Sequence, residues 1–250
     1  MIDRHAALAV MGNHEFNAIA YHTKVPGTDN YFREHTDKNR GQHEETLNQL
    51  APEELSEFIE WFRTLPVAID LDGLRVVHAS WDREAIDIIN EGLAQYGGFS
   101  AEFLREATNN DRPTKLFQAV EDVLKGKEAD LPSGMHFFDK DDHKRHRVRI
   151  RWYESPEGKT IRDYALPSEK HVPTDLIPAG SMTTKPYPRT DPPVFFGHYW
   201  LEETRPSILA ANVACLDYSV AKGGFLCAYC WSGEQELSND NFDWIGKPAT

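Results

Sequence analysis

The sequence predicts an α/β fold, because short apolar runs typical of buried strands alternate with segments whose apolar residues recur at helical spacing. The clearest strands are predicted at residues 6–11, 74–79 and 194–197, and the clearest helix begins at Pro52. The chain has 250 residues, of which 40% are hydrophobic and 27% are charged. This length and composition favour a single globular domain with an ordinary core.

The first predicted strand, at residues 6–11, leads directly into the sequence Gly-Asn-His-Glu. A short helix is expected to follow over residues 15–21. The polar segment 22–39 contains Pro-Gly and is typical of a loop. His22 and His35 in this loop are expected to be solvated rather than to contact a substrate.

The middle of the chain combines a hairpin with helices. Asp72-Gly73 separates two strand-like runs, residues 67–71 and 74–79, and this dipeptide favours a tight β-turn. Apolar residues then recur with helical period from about residue 82 to residue 126. We interpret this segment as a helical insertion that ends at a glycine.

The second half is predicted to be mainly strands and loops. The expected elements are a strand at 147–153, a long loop at about 167–193, strands at 194–197, 213–216 and 224–231, and a loose tail from about Ser238. The last two strands are expected to complete a second sheet. Proline and polar residues dominate the long loop, which is why regular structure is not expected there.

Polar side chains follow three of the predicted strands. Asn13 and His14 follow the first, His78 follows the strand of the hairpin, and His198 follows the run Val-Phe-Phe-Gly. In open α/β sheets, ligands bind beyond the carboxyl ends of the strands. These four residues therefore suggest one metal-dependent site. Taken alone, His78 would fit a core histidine held by a backbone carbonyl.

Alternation places Arg147, Arg149 and Arg151 on one face of a predicted strand. Arginines on a single face can bind a phosphate bidentately. A solvated strand face explains the same pattern equally well. Arg149 and Arg151 are therefore candidate substrate-binding residues, and the two interpretations remain open.

The order of Gly-Asn-His-Glu, Val-His-Ala and Phe-Gly-His resembles the calcineurin-like metallophosphoesterases. The stretch from Asn212 to Asp217, with Gly223-Gly224 and Leu226 after it, resembles the strand pair that follows the last metal histidine in that family. The closest similarity is to the protein-phosphatase and diadenosine-tetraphosphatase branch. The resemblance implies a four-layer fold in which two mixed β-sheets form a sandwich flanked by helices.

This resemblance also implies hydrolysis of phosphoesters or phosphoanhydrides at a dinuclear site. Asn13, His78 and His198 match the ligands of one ion, and His14 matches the proton donor to the leaving oxygen. Manganese is the expected metal, with iron or zinc as alternatives. The implied substrates are a phosphorylated small molecule, a nucleotide or a phosphoprotein.

The family motif has two blocks ahead of Gly-Asn-His-Glu, Asp-x-His after the first strand and Gly-Asp-x-x-Asp-Arg-Gly after the second, and neither is present in that context; Asp3-Arg4 echoes the second only superficially. We therefore expect an N-terminally truncated phosphoesterase that lacks the first β-α-β unit and the N-terminal metal-binding blocks. Three neutral ligands would bind a hard cation weakly, because carboxylates supply most of the attraction. The alternative is a catalytically degenerate domain that binds a phosphorylated ligand or partner.

Charge and cysteine content restrict the class of protein further. The formal net charge of −13 disfavours a nucleic-acid polymer as partner. No apolar stretch reaches the length of a membrane span and no signal peptide is evident, so a cytoplasmic location is expected. Cys227 and Cys230 have the spacing of half a zinc site. Buried or half-buried structural thiols explain them better than a structural zinc protein does.

Overall fold

The computed structural model describes residues 1–4, 6–139 and 142–246. Helices and mixed sheets occur together in this part of the chain, which confirms the predicted α/β class. The chain divides into two compact units. The first contains Met1–Ile69 and Asp82–Lys125, and the second contains Asp70–Trp81 and the chain from Gly126 onward.

The helices are α1 (Asn13–His22), α2 (Asp37–Gln49), α3 (Pro52–Phe62), α4 (Arg83–Tyr96), α5 (Ala101–Ala107), α6 (Lys115–Lys125) and α7 (Ile161–Tyr164). The strands are β1 (Ala68–Leu71), β2 (Leu74–Val77), β3 (Glu128–Asp130), β4 (Phe137–Phe138), β5 (Lys144–Arg145), β6 (Arg147–Arg149), β7 (Val194–Phe196), β8 (Ile208–Ala210), β9 (Val213–Cys215), β10 (Asp217–Tyr218), β11 (Phe225–Tyr229) and β12 (Phe242–Gly246). Short 3₁₀ turns occur at Ile2–Arg4, Val220–Lys222 and Asn239–Asn241.

The first unit is helical, and apolar faces hold its helices together. The ring of Phe99 packs edge-on against Phe16 of α1 and Phe103 of α5, with centroids 6.2 and 5.2 Å apart. Gly92 lets α4 approach α6, since an added Cβ would lie 3.2 Å from Leu116. The helix predicted from Pro52 and the helical character of residues 82–126 are confirmed.

The predicted strand at residues 6–11 is wrong, because none of these residues belongs to a strand. Leu8 is 67% exposed, and only the last residue of the run, Met11, is buried. Met11 donates its N–H to the carbonyl of Pro66 at 2.8 Å, which holds the end of the run without forming a ladder. A strand needs a partner along its length, and apolar composition does not supply one.

Helix α2 was not predicted, because it has no apolar periodicity and none of its residues is buried. Thr36 caps its N-terminus by accepting the N–H of Asn39 at 3.2 Å. The preceding loop is shorter than the predicted 22–39, since α1 includes His22 and α2 begins at Asp37. The contacts of α2 include polar ones, from His43 to His22 at 2.9 Å and from Gln42 to Arg33 at 2.6 Å.

A five-stranded sheet has the order β1-β2-β7-β9-β8, and a three-stranded sheet in the second unit has the order β10-β11-β12. The predicted hairpin is confirmed as β1 and β2, which are neighbours. Strands β2, β7 and β9 run parallel, and β8 is antiparallel to β9. Phe195, Ala214 and Phe242 form a core cluster that brings the two sheets together.

The C-terminal predictions need three corrections. The strand predicted at 147–153 ends at Arg149, and the chain turns at residues 152–153. The strand at 213–216 is β9, which lies in the five-stranded sheet and so does not complete the second one. The loose tail is wrong for Phe242–Gly246, which pairs with all five residues of β11. Residues 167–193 contain only an isolated bridge from Leu176 to Thr160, as the loop prediction requires.

Candidate functional site

Parallel pairing of β2 and β7 brings two of the predicted site residues together. Arg75 and Val76 of β2 pair with Val194 and Phe195 of β7. His78 directly follows β2, and His198 follows β7 after one glycine. Because the carboxyl ends of parallel strands meet at one edge of a sheet, both histidines lie at that edge.

The two imidazoles are in direct contact. Nε2 of His78 lies 3.2 Å from Nδ1 of His198, and the rings are inclined by 68°. In the neutral pair, one of these nitrogens donates and the other accepts. The same spacing fits two nitrogens that share one cation, since typical metal–nitrogen distances are about 2.0–2.1 Å. Both side chains are half-buried.

The turn that carries His198 has unusual backbone geometry. His198 and Trp200 have φ angles of +76° and +53°, in the left-handed region that residues other than glycine rarely occupy. Asp217 stabilises this turn. Its Oδ2 accepts the N–H of Trp200 at 3.1 Å, and its backbone carbonyl accepts the N–H of Leu201 at 3.0 Å. Non-glycine residues held in this way cluster at functional sites.

Sequence reasoning did not assign a site role to Asp217. Its position nevertheless follows the rule that found the two histidines. Strand β9 is parallel to β7 and ends at Cys215, so Asp217 comes just past the carboxyl end of a third parallel strand. The strand-end signal that indicates His78 and His198 therefore also indicates this carboxylate, which sequence reasoning missed.

Asn13 and His14 lie in the first unit, as the opening residues of α1. Asn13 is half-buried and His14 is exposed. The neighbouring Glu15 accepts the N–H of Gly12 at 3.0 Å, so that its carboxylate caps the helix. The helix predicted at 15–21 is thus confirmed, with a start two residues earlier. A shared site for Asn13, His14, His78 and His198 stays a prediction.

The strand that leads to Arg149 and Arg151 is shorter than predicted, because β6 ends at Arg149. Val148 and Ile150, which alternate with the arginines, are buried. Arg149 has Glu128 within 4.0 Å, and Arg151 has Glu154 at 3.9 Å. Arg151 also donates to the carbonyl of Ala165 at 3.4 Å. Each guanidinium is therefore already close to a carboxylate, so a phosphate ligand would compete with a neighbour of this chain.

Arg149 lines an open groove of about 620 Å³ in the second unit. Its cationic lining is Lys144, Arg145, Arg147 and Arg149, and its acidic lining is Glu128, Asp139 and Glu169. Arg145 pairs with Asp139 at 2.6 Å, and Arg147 lies 3.7 Å from Glu128. Because the two charge types are interleaved, we do not assign the groove an anionic ligand.

Within residues 1–4, 6–139 and 142–246, no group of three or more His, Cys, Asp or Glu side chains could hold a metal ion. The contact between His78 and His198 brings two imidazole nitrogens together. Cys215 is buried, which raises the pKa of its thiol to about 12. The prediction of buried or half-buried thiols is confirmed for Cys227 and wrong for Cys230, which is exposed.

A second histidine pair lies in the first unit. Nε2 of His22, at the end of α1, lies 2.9 Å from Nε2 of His43 in α2. The ring of His35 stacks between Tyr21 and Tyr31, with centroids 3.8 and 4.1 Å away. The expected solvated state is therefore wrong for His22, which is half-buried. Sequence reasoning also missed His43, since its partner lies 21 residues away in the chain.

Burial, followed by the proximity of His43 and His35, lowers the pKa of His22 from 6.5 to about 4. Between these values the unfolded chain binds a proton that the folded chain does not, so stability rises with pH across this window. We expect His22 to contribute a loss of about 1 kcal/mol of stability from pH 7 to pH 5, allowing for the partial exposure of the ring.

This loss should be smaller in His22→Gln, as measured by urea unfolding at several pH values. His143→Gln is the matched control, because the His143 side chain is 66% exposed. An identical pH slope for wild type and His22→Gln would contradict the expectation.

No protein-family model matches the chain, and no curated protein or solved structure matches it significantly. Among the described residues, none of the helices combines the length and the apolar character that crossing a lipid bilayer requires.

Proposed function

We propose that this chain is a metal-dependent phosphoesterase of the calcineurin-like kind. The observation that supports the proposal best is the contact between His78 and His198 at the carboxyl ends of two adjacent parallel strands. These are the residues that the resemblance assigns to one ion. The two sheets that share a core in the second unit are compatible with the sandwich of that family. The four-layer arrangement is part of this proposal.

In this proposal His78 and His198 hold a divalent cation through neutral imidazole nitrogens, and the motif assigns Asn13 to the same ion. A bound divalent cation supplies charge neutralisation at the phosphoryl oxygens and lowers the pKa of a water molecule. Asp217 is a positioning residue, because it holds the turn that carries His198. The exposed imidazole of His14 donates a proton to the leaving oxygen.

The proposed substrates are phosphorylated small molecules, nucleotides or phosphoproteins. Arg149 and Arg151 remain candidate substrate ligands, although each has a carboxylate nearby. Manganese is the proposed metal, with iron or zinc as alternatives.

The test is Mn²⁺-dependent hydrolysis of a generic aryl phosphate by wild type and His14→Gln. We expect wild type to be active and the variant to be slower by about 100-fold or more, the usual contribution of a general acid. Mn²⁺ affinity should stay the same, because His14 is not among the proposed ligands. His143→Gln is the control. Equal rates for the wild type and His14→Gln would contradict the assigned role.

A second candidate function is binding of a phosphorylated ligand or partner without turnover. It is favoured by the neutral character of the His78–His198 pair, because carboxylates supply most of the attraction that a hard cation needs. The same experiment distinguishes the two candidates. Wild type that binds the aryl phosphate but releases no phosphate with Mn²⁺ would support the binding function and contradict the enzymatic one.

A further inference from the structure

The loop between α1 and α2 carries an arginine whose hydrogen-bond partners are neutral. Nη1 of Arg33 donates to Oδ1 of Asn17 at 3.3 Å, and Nη2 donates to Oε1 of Gln42 at 2.6 Å. The side chain is half-buried. A guanidinium has five N–H donors, and these bonds use two of them. The two amides hold the fork in place and leave its charge uncompensated.

Among the described residues, Arg33 forms no ion pair. Burial lowers the pKa of Arg33, and the charge of Glu121 opposes this effect from a longer distance. Glu121 is itself paired with Lys125, one turn along α6. Arg33 is therefore a half-buried cation without a paired carboxylate in a protein of net charge −13. Binding of an anion to such a group is favourable, because the anion neutralises the partly buried charge.

Two imidazoles lie beside this arginine. Gln42, which accepts from Arg33 at 2.6 Å, directly precedes His43 in α2. Burial lowers the pKa of His43, and the charges of Arg33, His14 and His35 lower it further. His22 contacts His43 at 2.9 Å. Both imidazoles are neutral at pH 7, and one Nε2–H is used in the bond between the two rings. The second N–H of the pair can donate to an oxyanion without adding repulsion toward Arg33. The cluster of Arg33, His43 and His22 therefore combines one fixed cation with a neutral donor.

We propose that Arg33, with His43 and His22, binds a phosphoryl group of the substrate. The planar fork of arginine matches the oxygens of a phosphate, and charge-assisted bonds of this kind are stronger than neutral ones. His14, the proposed proton donor, lies near the same cluster through His43. The proposal rests on the proposed function for the identity of the ligand, whereas the cluster itself lies wholly in the first unit.

The test titrates inorganic phosphate into the full chain in EDTA and follows the ring ¹⁵N signals of His22 and His43 by NMR. We expect both signals to shift and to saturate. In Arg33→Gln the affinity should fall at least about tenfold, and in Arg33→Lys, which keeps the charge but not the fork, it should fall less. Arg40→Gln is the matched control, because Arg40 lies exposed on α2. Circular dichroism and thermal unfolding check that each variant is folded.

Two results would overturn the proposal: no shift of the ring signals in wild type, or equal phosphate affinity in wild type and Arg33→Gln. The use of EDTA separates this test from that of the catalytic function. If phosphate binding depends on Arg33 but the chain shows no Mn²⁺-dependent hydrolysis, the subsite is supported and only the enzymatic proposal is contradicted. If Arg33→Gln keeps both hydrolysis and phosphate affinity, the enzymatic proposal is supported and the subsite is contradicted.

Discussion

Removing either histidine of the His78–His198 pair should weaken Mn²⁺ binding by about 100-fold and abolish Mn²⁺-dependent hydrolysis. Changes in the groups that merely orient metal ligands already weaken affinity by 10–100-fold, so loss of a ligand is expected to reach or exceed the upper end of that range. The two nitrogens lie 3.2 Å apart, close enough to bind one cation together. Removing either side chain would leave the cation with one imidazole nitrogen from this pair.

The choice of substitution matters at this pair. His198 has a φ of +76°, a conformation that glycine adopts without strain, so the turn remains accessible in His198→Gly. His78 directly follows β2, and His78→Ala is suitable there. Glutamine is unsuitable at either position, because its side-chain oxygen can itself bind a hard cation.

Mn²⁺ affinity is measured by isothermal titration calorimetry, beside urea unfolding of each variant. His143→Ala provides a matched control, since it removes an exposed imidazole from the same unit. Unchanged Mn²⁺ affinity in both His78→Ala and His198→Gly would exclude the pair as metal ligands. Equal losses in His143→Ala would show that the measured binding is nonspecific.

Gly224→Ala should destabilise the chain by about 3 kcal/mol, at the upper end of the usual range for an overpacked position. A Cβ on Gly224 would lie 1.8 Å from the carbonyl oxygen of Tyr218 and 3.0 Å from two backbone atoms of Ser219. Backbone atoms cannot rotate away as a flexible side chain can. Gly224 also donates its N–H to the carbonyl of Ser219 at 3.0 Å, so any shift would disturb the turn into β11.

Urea unfolding measures this loss of stability. Gly41→Ala is the matched control, and the opposite change is expected for it. Gly41 lies inside α2, and a Cβ there would meet no atom within 4 Å. Alanine should therefore stabilise the chain by up to about 1 kcal/mol through its helix propensity. A Gly224→Ala variant within about 1 kcal/mol of wild type would show that the turn can adjust.

The sequence alone predicts those strands whose local residue pattern is apolar and which also have a neighbouring strand to pair with. The hairpin follows from Asp72-Gly73, and the strand at 194–196 is a buried apolar run. The same rule failed at residues 6–11, where the run is apolar but Leu8 is 67% exposed. Strand β12 was missed because its ladder with β11 is a long-range contact and Trp244 and Ile245 remain exposed.

The candidate site shows the same division. His78 and His198 could be found because each follows a recognisable strand. Asp217 follows the end of β9, so the same rule could have found it. Arg33 and His43 could not be found, since their contacts depend on the position of α2. Helix α2, which brings Gln42 and His43 to the loop, has no buried residue and so carries no hydrophobic signal.

The contact between His78 and His198 joins residues that are 120 positions apart in the chain. Closing so long a loop is entropically unfavourable, and parallel pairing between distant segments is among the slower events in folding. The pair therefore forms only once β2 and β7 have come together, and a cation bound by both imidazoles would hold that closure. During refolding from urea, capacity to bind Mn²⁺ should return no earlier than the five-stranded sheet itself.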